Sequence, residues 1–192
     1  MAPRVKPSAR VLAIDDAPFR KGDASVPLVG VVTNGAQYIE GVLVSRVGVD
    51  GDDGTRAVVR LVRRSRFQPL LRGLLLNGIF VGGFNVVDVD RVHEATGLPV
   101  LAIVRSAPRP ALVKRAVQAA FEDWEPRWRR ISELEPVALP GLRLWATVRG
   151  LSLREGAKLA ASLTVRGNLP EPLRLAHVIA SGLVRGESKG KA

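Results

Sequence analysis

Residues 10–16 read Arg-Val-Leu-Ala-Ile-Asp-Asp. Four consecutive apolar residues running into two aspartates describe a short strand buried on both faces, ending where its carboxylates first approach solvent. A carboxylate in such a place is poorly solvated and needs a compensating partner. A hard divalent cation is one, since Mg²⁺ and Mn²⁺ prefer oxygen ligands. The backbone N–H groups of a strand-end turn are another, and spacing alone does not choose between them. Successive strand side chains point to opposite faces, so one of Asp15 and Asp16 is expected to face a ligand while the other caps or assists from the side.

The flanking sequence sets this strand in a sheet. A second strand is expected over 28–33, and Asn34-Gly35 tolerates the positive φ of a tight hairpin. A third strand over 37–49 alternates, with Ile39, Gly41, Leu43, Ser45 and Val47 on one face and Tyr38, Glu40, Val42, Val44 and Arg46 on the other. After the turn Asp-Gly-Asp-Asp-Gly at 50–54 the period changes to that of a helix over 55–66. A strand over 70–76 ends at Asn77-Gly78, a helix over 89–96 stops at Gly97 and Pro99, and a buried strand (100–104) and a helix (110–124) follow. The order β-β-β-α-β-α-β-α implies an α/β fold of ribonuclease H-like type. Its mixed five-stranded sheet would be an antiparallel meander followed by parallel strands, flanked by helices. There the fourth strand lies parallel to the first, and Asn77 comes beside Asp15–Asp16 at the edge where open α/β sheets bind ligands.

Further along, 142–148 is expected to add a peripheral strand. Ser152 and Glu155 form a capping-box pattern opening a helix to about 163. Residues 168–172 start a last helix, with Leu173, Ala176, Ala180 and Leu183 on one face. A single domain is expected over 1–192, with 1–9 and 187–192 flexible.

Composition narrows the function. The 46% hydrophobic content predicts a packed core, and the absence of cysteine excludes disulfides, zinc-thiolate sites and thiol nucleophiles. Since no apolar run is long enough to span a bilayer, a cytoplasmic chain with no membrane partner is expected. Lys and Arg number 29 against 18 Asp and Glu, a net charge of +11 that favours a polyanionic partner. DNA is the expected partner, with RNA as the alternative, and exposed strand edges leave room for a homodimer.

Other candidate residues carry weaker signals. Asp50, Asp52 and Asp53 could add metal ligands, although their glycine-flanked setting is ordinary turn composition and Asp53 could cap the next helix. Glu40 could complete a metal site or be a solvated strand residue. Asn77 could offer an amide oxygen or orient a phosphate. His177 is expected to be a hydrogen-bonded, partly buried residue unless its helix faces the aspartates. Trp124 and Trp128, interleaved with arginines, could stack bases or close the core. Arg105, Arg166 and Arg174 are the better phosphate contacts, being expected near the Asp15 edge. The segment 80–84, Phe-Val-Gly-Gly-Phe, reads as flexible and lacks the lysine of a phosphate-binding loop.

Five segments together, VLAIDDAPF at 11–19, LLNGIFVGGFNVVD at 75–88, GLPVLAIVR at 97–105, FEDWEPRW at 121–128 and LPEPLRLAHVIASGLVRGES at 169–188, resemble the endonuclease dU-like family, a relative of endonuclease V. The resemblance implies a ribonuclease H-like nuclease, dependence on Mg²⁺ or Mn²⁺, and cleavage of DNA at deoxyuridine in repair. It matches Asp15 to the metal-binding aspartate of the first strand. Asn77 falls where endonuclease V has a second aspartate, Arg105 where it has a lysine, His177 where it has an aspartate, and Val47 where it has a glutamate. Asp16, Asp50 and Asp53 would then have to rebuild the metal site. The contrasting expectation is a non-catalytic nucleic-acid-binding protein on a decayed nuclease fold.

Overall fold

The computed structural model describes residues 9–188. A seven-stranded mixed sheet runs through it in the order β3-β2-β1-β4-β7-β9-β8. Its strands are β1 (Arg10–Asp16), β2 (Ser25–Asn34), β3 (Tyr38–Gly48), β4 (Gly73–Leu76), β7 (Val100–Val104), β8 (Val137–Ala138) and β9 (Trp145–Arg149). A small separate hairpin pairs β5 (Phe80–Val81) with β6 (Asn85–Val86). Helices α1 (Gly54–Arg63), α2 (Val89–Thr96), α3 (Pro110–Ala120), α4 (Trp124–Glu133), α5 (Leu153–Ser162) and α6 (Glu171–Arg185) surround the sheet. Among the described residues no helix is long and apolar enough to cross a membrane.

The centre follows from the sequence of β1. Val11, Leu12, Ala13 and Ile14 are all at most 1% exposed, because β2 covers one edge of the strand, β4 the other, and helices both faces. Burying a large aliphatic side chain in this way stabilises the fold by about 1.5–3 kcal/mol. β1 pairs antiparallel with β2 and parallel with β4, Ile14 opposite Leu76, which brings the next residues, Asp15 and Asn77, side by side. The antiparallel meander and the parallel strands are therefore present as expected. The sheet has seven strands, not five: the peripheral strand falls at Trp145–Arg149, pairs antiparallel with β7, and carries two-residue β8 beyond it.

Several boundaries differ for identifiable reasons. In β3 the register shifts opposite Val32 and Thr33, so Gly41 pairs with Val32 and Ile39 with Thr33. The bulge leaves Glu40 unpaired and turns Ile39, 48% exposed, away from the face of Gly41 and Leu43 on which alternation had placed it. A 3₁₀ turn at Gln68–Leu70 shortens the fourth strand to Gly73–Leu76. The helix expected over 110–124 breaks at Phe121, which is extended. Its ring is held by an edge contact with Phe84, centroids 6.0 Å apart, and by the Arg127 guanidinium 4.0 Å above it. Leu183, expected on the inner face of α6, is 55% exposed, while Leu173, Ala176 and Ala180 are buried. The capping box is formed, Ser152 and Glu155 each bonding the other's backbone. Of the termini expected to be flexible, 1–8 and 189–192 lie outside the described residues.

Candidate functional site at the C-terminal edge of the central strands

Asp15 ends the buried part of β1, and its side chain is only 5% exposed. Asn77 Nδ2 donates to Oδ1 at 3.1 Å, as does the backbone N–H of Asp16 at 3.0 Å. His177, in the second turn of α6, lies with Nδ1 2.9 Å from Oδ2. An ionised carboxylate can only accept, so that ring nitrogen carries the proton. The hydrogen bond to Asp15 raises the His177 pKa above the ordinary histidine value, opposed by partial burial and by Arg105 nearby. The sheet order that predicts Asp15 beside Asn77 is thus realised, and α6 does face the aspartates.

Asp16 points the other way, toward the β5–β6 hairpin, where Gly82 N–H donates to Oδ2 at 3.1 Å. Burial pushes its carboxyl up to about 6, with the adjacent Asp15 charge adding to the shift and the Gly82 bond opposing it. The nearby His177 charge offsets only part of the cost of burying this carboxyl. The hairpin is ordered, not a flexible loop. Its tight turn uses Gly82 and Gly83 at φ 55° and 87°, and Asp50 grips it by accepting from Phe84 N–H at 2.8 Å.

Asp50 and Asp53 do not join Asp15–Asp16. Asp50 is the one described non-glycine residue at positive φ, and its carboxylate serves the hairpin. Asp53 Oδ1 accepts from Gly48 N–H at 3.0 Å and Asn85 Nδ2 at 2.7 Å, and makes no side-chain cap for α1. Asp52 pairs with Arg56 on the surface. Both expected ligands are therefore consumed by turn geometry. Glu40 stands at the opposite end of the strands, bonded to Arg10 at 2.6 Å and not sharing a face with Arg46. Val47 is buried, 1% exposed. Among the described residues no three His, Asp or Glu side chains converge as a metal-binding group.

The cationic candidates divide in two. Arg105 is exposed and close enough to His177 to oppose its protonation. Arg174 is held by Glu171 at 2.8 Å, one turn before His177 on α6, and Arg166 lies near enough to lower the Glu171 pKa. Trp124 and Trp128 are half-buried on α4, with the Lys114 ammonium 5.6 and 5.9 Å from their rings. Trp128 also lines an apolar cavity of about 300 Å³ together with Gly78, Ile79, Phe80, Val104 and Pro108.

Two features escaped the sequence. The cavity forms between segments far apart in the chain. Asn85 is fully buried, its Oδ1 accepting from Gly54 N–H at 2.7 Å and its Nδ2 donating to Gly48 O and Asp53. Its one local signal was a polar residue inside an apolar run.

The donor set suits a small hard cation. Mg²⁺ is commonly held by one or two carboxylates, its remaining ligands being water and substrate phosphate. Asp15 supplies one fixed carboxylate at this edge, and Asp16, turned toward the hairpin, supplies a second beside it in the chain.

Comparison with known proteins gives a consistent result. The family model for endonuclease dU matches residues 7–184. The UPF0215 protein of Methanothermobacter thermautotrophicus is 42% identical over 192 residues, covering 98% of this chain and 94% of that one. A crystal structure of an Archaeoglobus fulgidus protein of unknown function superposes with a TM-score of 0.83 at 33% identity, covering 93% of this chain and 99% of the other. The catalytic domain of human endonuclease V is similar in fold, TM-score 0.60 at 17% identity, with 94% and 86% covered. So is Ciona intestinalis endonuclease V in complex with inosine-containing DNA, TM-score 0.56 at 13% identity, with 88% and 82% covered.

Proposed function

The chain belongs to the endonuclease dU family, and from that premise we propose that it hydrolyses a phosphodiester bond of DNA beside a deaminated base, deoxyuridine first, as a step in DNA repair. The observation that carries this proposal is the fixed carboxylate of Asp15, held by Asn77 and His177 at the C-terminal edge of the central strands.

Asp15 would hold Mg²⁺ or Mn²⁺, with Asp16 assisting from the side, and the ion when bound supplies activation of water and stabilisation of the leaving oxygen. Asn77 and His177 fix the rotamer of Asp15, so the edge is preorganised before DNA arrives. His177, with Nδ1 engaged, keeps its second ring nitrogen for moving a proton at the scissile phosphate. Exposed Arg105 offers its guanidinium to a phosphate, and Arg174 and Arg166 extend the positive edge. The cavity lined by Gly78 could receive a base rotated out of the stack, its apolar walls taking the ring and Ser106, Ser132 and Glu135 its polar edge. A chain without cysteine fits a reducing cytoplasm.

The test uses single- and double-stranded oligonucleotides carrying uracil or inosine, with Mg²⁺, Mn²⁺ or EDTA. Uracil-dependent cleavage should require the ion, and Asp15→Asn should lower it at least about 100-fold. Salt-sensitive binding with no ion-dependent cut, or an Asp15→Asn variant as active as the parent, would establish the non-catalytic nucleic-acid-binding protein instead.

A further inference from the structure

The two edges of the sheet differ. One ends in β8, only two residues long, whereas β3 is an eleven-residue strand. Proteins usually shorten, charge or cover such an edge, because its outward N–H and C=O groups invite another strand. Here the outward Arg46 carbonyl meets only the tip of Arg60, Nη2 at 3.5 Å.

The flanks of this edge have opposite character. On the α1 side, Arg60 and Arg64 overhang a cleft of about 320 Å³ lined from β3 by Leu43 and Ser45. Arg64 has no ion-pair partner among the described residues. On the other side Ile39, Val42 and Val44 are 48%, 46% and 59% exposed, since α6 packs on β1 and β2. Gly41 facing Phe67, and Leu43 lying near Gly30 as Leu61 does, fix which residues turn to which side.

We propose that β3 is a strand-addition site for an extended segment of a partner protein whose acidic residues alternate with apolar ones. The acidic side chains face Arg60 and Arg64, and the apolar ones cover Val42 and Val44. A second copy of β3 would set its own Arg60 and Arg64 against these across the two-fold axis, like charge on like. Nucleic acid would use the arginines but leave the apolar row bare.

The probe is a fluorescein-labelled peptide of about nine residues with Glu and Val alternating, titrated into the full chain by fluorescence anisotropy. Binding should weaken at least about tenfold in R60E/R64E, and also in R60Q/R64Q, which guards against misfolding by reversal of charge. It should be lost when alternate peptide nitrogens are methylated, because strand addition depends on main-chain hydrogen bonds. A peptide of the same composition with Glu and Val in separate blocks should bind at least about tenfold more weakly. Absence of binding, or indifference to methylation or to the arginine substitutions, overturns the proposal. So does an oligonucleotide that alone shows the Arg60 and Arg64 dependence, or a dimer in sedimentation that Val44→Arg dissociates.

Discussion

Asp15 and Asp16 are chain neighbours with opposite surroundings. Asp15 has three hydrogen-bond donors, whereas Asp16 has the Gly82 amide and a like charge beside it. In the metal-free protein the folded Asp16 releases its proton near pH 6, and an unfolded chain would do so near 3.8. Well below the unfolded value of 3.8 both states keep the proton. Above pH 6 the folded state carries a charge that costs up to about 3 kcal/mol. Asp16→Asn should therefore raise the unfolding free energy by up to about that amount at pH 8 in EDTA and change it little at pH 4. Urea melts at the two pH values decide it, and equal shifts at both would refute the assignment. His177 contributes in the complementary direction. Its pKa is raised, so its stabilisation is present below the ordinary histidine value and disappears as pH rises through the raised one. His177→Gln should thus cost more at pH 6 than at pH 9 in the same melts. Asn85 has no titration but a larger structural share. Asn85→Ala strips partners from Gly54 N–H, Gly48 O and Asp53, and a loss of about 3 kcal/mol is expected in urea unfolding at any pH.

The β5–β6 hairpin joins the turn after β3 to the end of β1, through Asp50–Phe84 on one side and Gly82–Asp16 on the other. A methyl group at Gly83 would collide with Asp50 Oδ1 at a φ of 87°. Gly83→Ala is expected to lower the melting temperature by several degrees and to move the Asp16 pKa, read by carboxyl-carbon NMR. A variant that melts early with an unmoved Asp16 would show that the hairpin does not tune the carboxylate. Elements of this kind separate what the sequence discloses from what it withholds. Apolar Val11–Ile14 running into Asp15, the periodicity of α2 with its Gly97 stop, and the Ser152–Glu155 box are local signals, and each appears where it is expected. The juxtaposition of Asp15 and Asn77 was also accessible, because parallel pairing of first and fourth strands follows from connection rules. The bulge at Glu40 and the break at Phe121 were not, since both depend on contacts with distant residues. Asp50 and Asp53 read as ordinary turn residues that could add metal ligands, and which they are is settled only by their distant partners Phe84 and Asn85.

At the scale of the molecule, a net charge of +11 sits on a fold in which exposed Arg105 stands near His177. Affinity for oligonucleotides should fall steeply with salt, log K against log[salt] being linear with a slope of about −0.7 to −0.9 per phosphate contacted. Anisotropy titrations at several salt concentrations measure it, and a flat response would remove phosphate from the account. Finally, Asp15 and His177 are 162 residues apart in the chain yet share one hydrogen bond. A ribosome delivers the aspartate among the first residues of the sheet and the histidine only after the last strand. The nascent chain consequently cannot fix Asp15 through His177 during synthesis, and the pair closes only once α6 has emerged and docked.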